Sequence, residues 1–147
     1  LPNAASRHLL AMDFNSINRQ FDKALESADE LANELGPDAW IDSKRADLNV
    51  ELNQLKKARQ LAEGALAREP KLLQASFAML GVTVEQRDFG EAVATLKRMD
   101  AIRPLPIGNL EATPKFSELI ESREFLEWKQ NRSKLRAANG STQNRRQ

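Results

Sequence analysis

Apolar residues recur at steps of three and four along three stretches of the chain, which is the spacing of one face of an α-helix. These stretches lie near 19–35, 54–68 and 88–102. When the chain is aligned with itself at a shift of 34 residues, three columns agree in character: Ala24, Ala58 and Ala92; Phe21, Leu55 and Phe89; Gly36, Pro70 and Pro104. The period predicts three units of two helices each, at about 5–38, 39–72 and 73–106.

Capping residues and prolines mark the ends of these helices. Asp88 followed three residues later by Glu91 predicts a capping box, in which Asp88 accepts from a free backbone N–H and Glu91 bonds back to the Asp88 amide. Asp38 is expected to cap the first helix of the second unit. Pro70 and Pro104 are expected to stop the helices before them, since proline has no N–H and disfavours helical geometry in the preceding residue.

The chain beyond the third unit has a different pattern. Thr113-Pro114 predicts the start of a pair of capping helices over about 113–138. Residues 139–147 contain no apolar side chain, and we expect a disordered basic tail there. The sequence therefore predicts a single all-α domain over 5–138.

Composition excludes several classes of function. The 147 residues include no Cys and one His, His8, so disulfide scaffolds, Cys-ligated zinc and thiol catalysis are ruled out, and His8 is expected at the surface or partly buried. No phosphate-binding Gly loop or GxSxG elbow occurs. The longest uncharged run, 72–84, has 13 residues and is shorter than the roughly 20 of a membrane helix. We expect no enzyme, cofactor, metal, small-molecule substrate or membrane insertion.

Charge is distributed unevenly. Residues 129–147 carry six bases and no acid, whereas residues 1–128 have a net charge of −5. The basic end could contact phosphates, but no aromatic residue beyond Trp128 is interleaved with it, and a solvated helix end is favoured. Five acids near 22–34 are likewise expected to form a solvated helix face.

The 34-residue helix-turn-helix period, with small residues at 24, 58 and 92, large apolar residues three positions earlier and closing prolines, resembles the tetratricopeptide repeat (TPR) family. The resemblance covers about 5–106. It implies an α-solenoid, a superhelix of three helical hairpins, in which residues 116–136 cap the array. It also implies a concave groove formed by the first helices, here lined by Leu9, Leu10, Asp13, Trp40, Lys44, Asp47, Val50, Gln74, Phe77 and Val84.

Some family members hold the terminal carboxylate of a chaperone with a clamp of Lys, Asn and Arg side chains. The matching columns here hold Leu9 and Asp13, Lys44, and Gln74 and Ala78, so the clamp is absent and no such ligand is expected. Trp40 and Phe77 would instead suit an apolar anchor of a partner segment. The alternative is that these two aromatic side chains pack within the array or under the chain's own C-terminal part.

The sequence thus predicts a non-catalytic scaffold that binds a protein or peptide in the groove. Two alternatives stay open: a regulatory or oligomerisation domain of a larger enzyme, and, less favoured, a helical domain that binds nucleic acid. The chain begins with Leu1 rather than Met, so we expect a fragment or processed form. Neither the partner nor the compartment can be inferred.

Overall fold

The computed structural model describes residues 3–144, and every regular element within that range is helical. Six helices follow one another in three pairs: α1 (Ala4–Ile17) and α2 (Phe21–Leu35), α3 (Ala39–Glu51) and α4 (Leu55–Arg68), α5 (Leu73–Glu85) and α6 (Phe89–Ile102). The C-terminal part contains α7 (Ile107–Glu111), a 3₁₀ turn (Pro114–Phe116), α8 (Ser117–Glu121) and α9 (Arg123–Asn144). In residues 3–144, no helix is long and apolar enough to cross a membrane.

The turns inside the three pairs share one backbone conformation. Arg19, Asn53 and Arg87 have φ angles of 58°, 57° and 57°, in the left-handed region. In each turn the next residue's N–H donates to the carbonyl five positions earlier, at 2.8 Å. These positions are 34 residues apart, and so are the first residues of α2, α4 and α6. The period predicted from the side chains is therefore present in the backbone.

Alanines allow the helices to approach closely. Ala24, Ala58 and Ala92 are fully buried, as their shared column predicts. Each helix from α1 to α6 packs on its neighbour in the chain, and α3 also packs on α5. Burial of these small residues brings the backbones together, and the larger side chains around them fill the remaining space.

The C-terminal helices cover the last pair with aromatic side chains, as predicted. Leu119, Phe125 and Trp128 lie in one buried cluster with Leu96 of α6. The Phe125 and Trp128 rings meet edge to face, with centroids 5.6 Å apart. The Ser122 hydroxyl accepts from the Phe125 N–H and so caps the start of α9.

Two local predictions need correction. Asp88 accepts from the Glu91 N–H, as expected, but the Asp88 N–H donates to the Thr83 carbonyl and is therefore not free for Glu91, whose carboxylate pairs with Arg98. The predicted helix end at 138 is also wrong, because α9 continues to Asn144. Ordinary helical hydrogen bonding can continue here without apolar contacts, and residues 145–147 of the predicted tail lie outside the described part of the chain.

Asp38 and the prolines behave as their chemistry predicts. The Asp38 carboxylate accepts from the Ile41 N–H at 2.9 Å and caps α3. The helices α4 and α6 end at Arg68 and Ile102, two residues before Pro70 and Pro104.

Candidate functional site

The predicted groove residues fall into several separate environments. Leu9 and Trp40 line one pocket, and Asp13, Lys44 and Asp47 line a second. Both pockets involve α1 and α3, and we call the line between these two helices the α1–α3 seam. Phe77 lies in a third pocket, away from the seam.

The first pocket, which we call the apolar pocket, has a volume of about 310 Å³. Its walls come from the first turns of α1 and α3 and the last turns of α2: Leu9, Leu31, Leu35, Trp40 and Ile41. Trp40 remains 37% exposed although its ring forms part of the wall. An aromatic ring that is half-buried at the rim of an apolar pocket can add a large contact area to a bound side chain.

The second pocket, which we call the acidic pocket, has a volume of about 210 Å³ and lies farther along the same two helices. Asp13, Asp47 and Glu51 line it together with Lys44. The Lys44 ammonium lies 5.3 Å from the centroid of the Trp40 ring, a cation–π contact. Lys44 therefore connects the acidic pocket to the aromatic wall of the apolar pocket.

Asp47 is the most perturbed titratable group of the seam. Burial raises its pKa to about 6, although the charges of Lys115 and Lys44 and a hydrogen bond from Gln74 oppose the change. The Gln74 side-chain amide donates to Asp47 at 3.2 Å, so Gln74 of α5 supports a carboxylate of α3. Loss of hydration is thus larger than the stabilisation by the two lysines.

Lys115 is a residue of this site that sequence reasoning missed. It lies in the 3₁₀ turn and crosses α5 at Gly81, where a Cβ would stand 3.4 Å from the Lys115 ammonium. Gly81 thereby leaves room for the Lys115 side chain, whose charge acts on Asp47. The only signal in the sequence is a glycine in the middle of an apolar helix, which indicates a close approach without identifying what approaches.

The third pocket, which we call the connector pocket, places Phe77 beside the chain's own C-terminal part. Its walls are Leu73, Phe77, Met99 and residues 103–106, and its volume is about 450 Å³. Phe77 is 45% exposed. It therefore lies partly under the connector, as one of the two sequence interpretations anticipated, while Trp40 lies in a different pocket.

An ion pair fixes this connector. The Arg132 guanidinium of α9 donates two hydrogen bonds of 2.9 Å to Asp100 and one of 2.8 Å to the Leu105 carbonyl. Asp100 also accepts from the Leu105 N–H. Hydrogen bonds from Arg132 keep the pKa of Asp100 below its usual value. We call this arrangement the Arg132 latch.

Three predicted groove residues lie elsewhere. Val84 is only 6% exposed and belongs to the core cluster beneath α9, and Val50 packs against the cluster around Ala46 and Met79. The prediction that these two valines line a groove is therefore wrong, because their helix faces point into the packing between helices. Leu10 is exposed, but it lines neither pocket of the seam.

The charged surfaces are more engaged than the sequence predicts. In α9, Arg132 forms the latch and Lys129 pairs with Glu111, so part of the predicted basic end is used inside the chain. On α2, Asp29 pairs with Arg45 of α3, so that acidic face is not simply solvated. These contacts reduce the charge that is available to a phosphate or a cation.

No constellation for chemistry appears among the residues that the structure describes. His8 is half-buried, as expected, and its Nδ1 lies 2.9 Å from a Glu30 carboxylate oxygen. Within residues 3–144, no three His, Cys, Asp or Glu side chains are grouped so as to hold a metal ion. Comparisons of the chain with protein-family models, with curated proteins and with solved structures gave no match.

Proposed function

We propose that this chain is a TPR-like α-solenoid of three helical hairpins with a C-terminal cap, and that it binds a protein segment along the α1–α3 seam. The observation that carries the binding proposal is the pair of pockets on the seam, one apolar with a half-exposed Trp40 and one acidic. Such a surface offers an anchor site for an apolar side chain beside a site for a charged one.

The repeated backbone supports the solenoid part of the proposal. The left-handed residues Arg19, Asn53 and Arg87 recur every 34 residues, as do the buried alanines of the second helices. Units that share a turn and a contact column repeat the same step from one to the next, which is the basis of a solenoid.

The dimensions of the seam support a short extended segment as ligand. The walls from Asp38 to Glu51 extend about 20 Å along α3, at 1.5 Å per residue. A segment of roughly six residues in an extended conformation covers this length. The ligand is expected to carry an apolar side chain for the apolar pocket and a basic one for the acidic pocket, since three carboxylates outnumber the lysine there.

Selection from a random peptide library displayed on phage, with the purified chain as bait, tests the proposal. The peptides that are recovered are then measured by calorimetry against the native chain and against Trp40→Ala. We expect this change to weaken binding by tenfold or more, since truncating a central anchor costs at least about 2 kcal/mol.

Phe77→Ala provides the matched control, because Phe77 is also a partly exposed aromatic residue of a first helix but lies in the connector pocket. Binding should be nearly unchanged in this variant. If Trp40→Ala folds normally and binds the selected peptides as well as the native chain does, the seam is not the binding site. If Phe77→Ala alone weakens binding, the site is the connector pocket.

A further inference from the structure

The first helix carries an apolar stripe that nothing in the described chain covers. Leu10, Phe14 and Ile17 are spaced by four and three residues and so lie on one face of α1. All three are exposed, and Phe14 is 66% exposed. Scattered exposed apolar residues are normal, but a continuous stripe of three large ones is typical of an interaction surface.

The 34-residue period shows how the same position is used elsewhere in the chain. Phe14 corresponds to Leu48 of α3 and to Val82 of α5, which are 6% and 0% exposed. Leu48 lies in one buried cluster with Ala24 and Ala28 of α2. In the next unit, the equivalent contact is made by α4.

Val82 lies in one buried cluster with Ala58 and Ala62 of α4. The cover is thus the same in both cases: two alanines, four residues apart, on the second helix of the preceding pair. The packing of α2 on α3 and of α4 on α5 would continue without change onto α1. Phe14 is larger than Leu48 and Val82, so it requires a facing helix with side chains as small as these alanines.

We propose that the Leu10–Phe14–Ile17 face of α1 is a docking surface for a helical hairpin whose second helix presents alanines four residues apart, as α2 and α4 do. This surface is separate from the α1–α3 seam and does not depend on the function proposed for it. The occupant is defined by its chemistry: an amphipathic helix with a narrow stripe of small residues, to which Phe14 contributes the large side chain of the contact.

The chain offers its own probe for this surface. A copy of residues 37–70 placed directly before Asn3 keeps the 34-residue register, because residue 37 precedes α3 as residue 3 precedes α1. The copy of α4 then stands before α1 as α4 stands before α5. Thermal unfolding is measured for the native chain and the extended chain, each with and without Phe14→Glu.

We expect Phe14→Glu to change the midpoint of the native chain by less than about 2 °C, because the side chain is exposed, and to lower that of the extended chain by at least about 4 °C. Leu126→Glu, at an exposed position of α9, should have a small effect in both chains. An equal effect of Phe14→Glu in the two chains would overturn the proposal.

Sedimentation of the native chain tests a different occupant. The hairpin proposal expects a monomer at micromolar concentration. A dimer that Phe14→Glu dissociates would mean that a second copy covers the stripe, and this result would also overturn the proposal.

Discussion

Asp47→Asn should stabilise the protein at neutral pH. Burial raises the pKa of Asp47 from 3.8 to about 6, so the folded chain favours the protonated, neutral form of this side chain. The raised pKa means that its contribution to stability is fully present below pH 3.8 and is lost as the pH rises through about 6. Asn mimics the neutral form and can still accept the hydrogen bond from Gln74.

The size of the effect follows from the pKa change. One pKa unit corresponds to about 1.4 kcal/mol, so the ionised Asp47 should reduce the free energy of unfolding by on the order of 2 to 3 kcal/mol above pH 7. Urea unfolding of the native chain and of Asp47→Asn, at several pH values between 3.5 and 7.5, measures this difference. All other titrating groups are common to the two proteins, and their contributions largely cancel in the comparison.

Asp13→Asn is the matched control, because Asp13 lines the same pocket but is exposed. Its effect on stability should be small at every pH. The reasoning is refuted if Asp47→Asn is no more stable than the native chain at pH 7.5, or if its advantage does not decrease as the pH falls from 6 toward 4.

Further predictions concern the packing, the latch and the ends of the chain. Ala58→Leu should destabilise the fold by about 1–3 kcal/mol in urea unfolding, because Ala58 is fully buried, whereas Glu63→Gln on the exposed face of α4 should be nearly neutral; equal effects would contradict the repeat register. Arg132→Met should cost about 2–3 kcal/mol in the same assay, since it leaves the half-buried Asp100 carboxylate unpaired. Deletion of 140–147 should leave the melting midpoint unchanged within about 2 °C, and a larger fall would show that this end makes stabilising contacts. Calorimetry should detect no binding of peptides that end in Glu-Glu-Val-Asp, because the clamp side chains are absent; micromolar binding that is lost when the terminal carboxylate is amidated would prove this wrong.

The sequence predicts the helical pairs well because the signals for them are local. A fixed period of small residues, a cap such as Asp38 and a proline after the helix act within a few residues of the element they define. The backbone of the turns adds a feature that no pattern predicts, since Arg is an unusual residue for the left-handed region that Arg19 and Arg87 occupy. There the helices on either side determine the conformation.

The site was predicted only in part because its decisive contacts join distant parts of the chain. The period correctly grouped Asp13, Lys44 and Asp47, since adjacent first helices repeat one geometry. It assigned Val84 to the groove because the period does not show which residues the C-terminal helices cover. The contact of Lys115 with α5 and the Arg132 latch likewise depend on the path of residues 103–116, which no periodic signal describes.

That path has a consequence for where a ligand can bind. The Arg132 latch holds residues 103–106 beside Phe77, and Lys115 crosses α5 at Gly81, so the chain's own C-terminal part covers much of the α5 surface that the period assigned to the groove. The α1–α3 seam has no such cover among the described residues. A variant that opens the latch should therefore expose more of α5 without improving the seam. We expect Arg132→Met to bind the peptides selected on the native chain with unchanged affinity at temperatures where it remains folded.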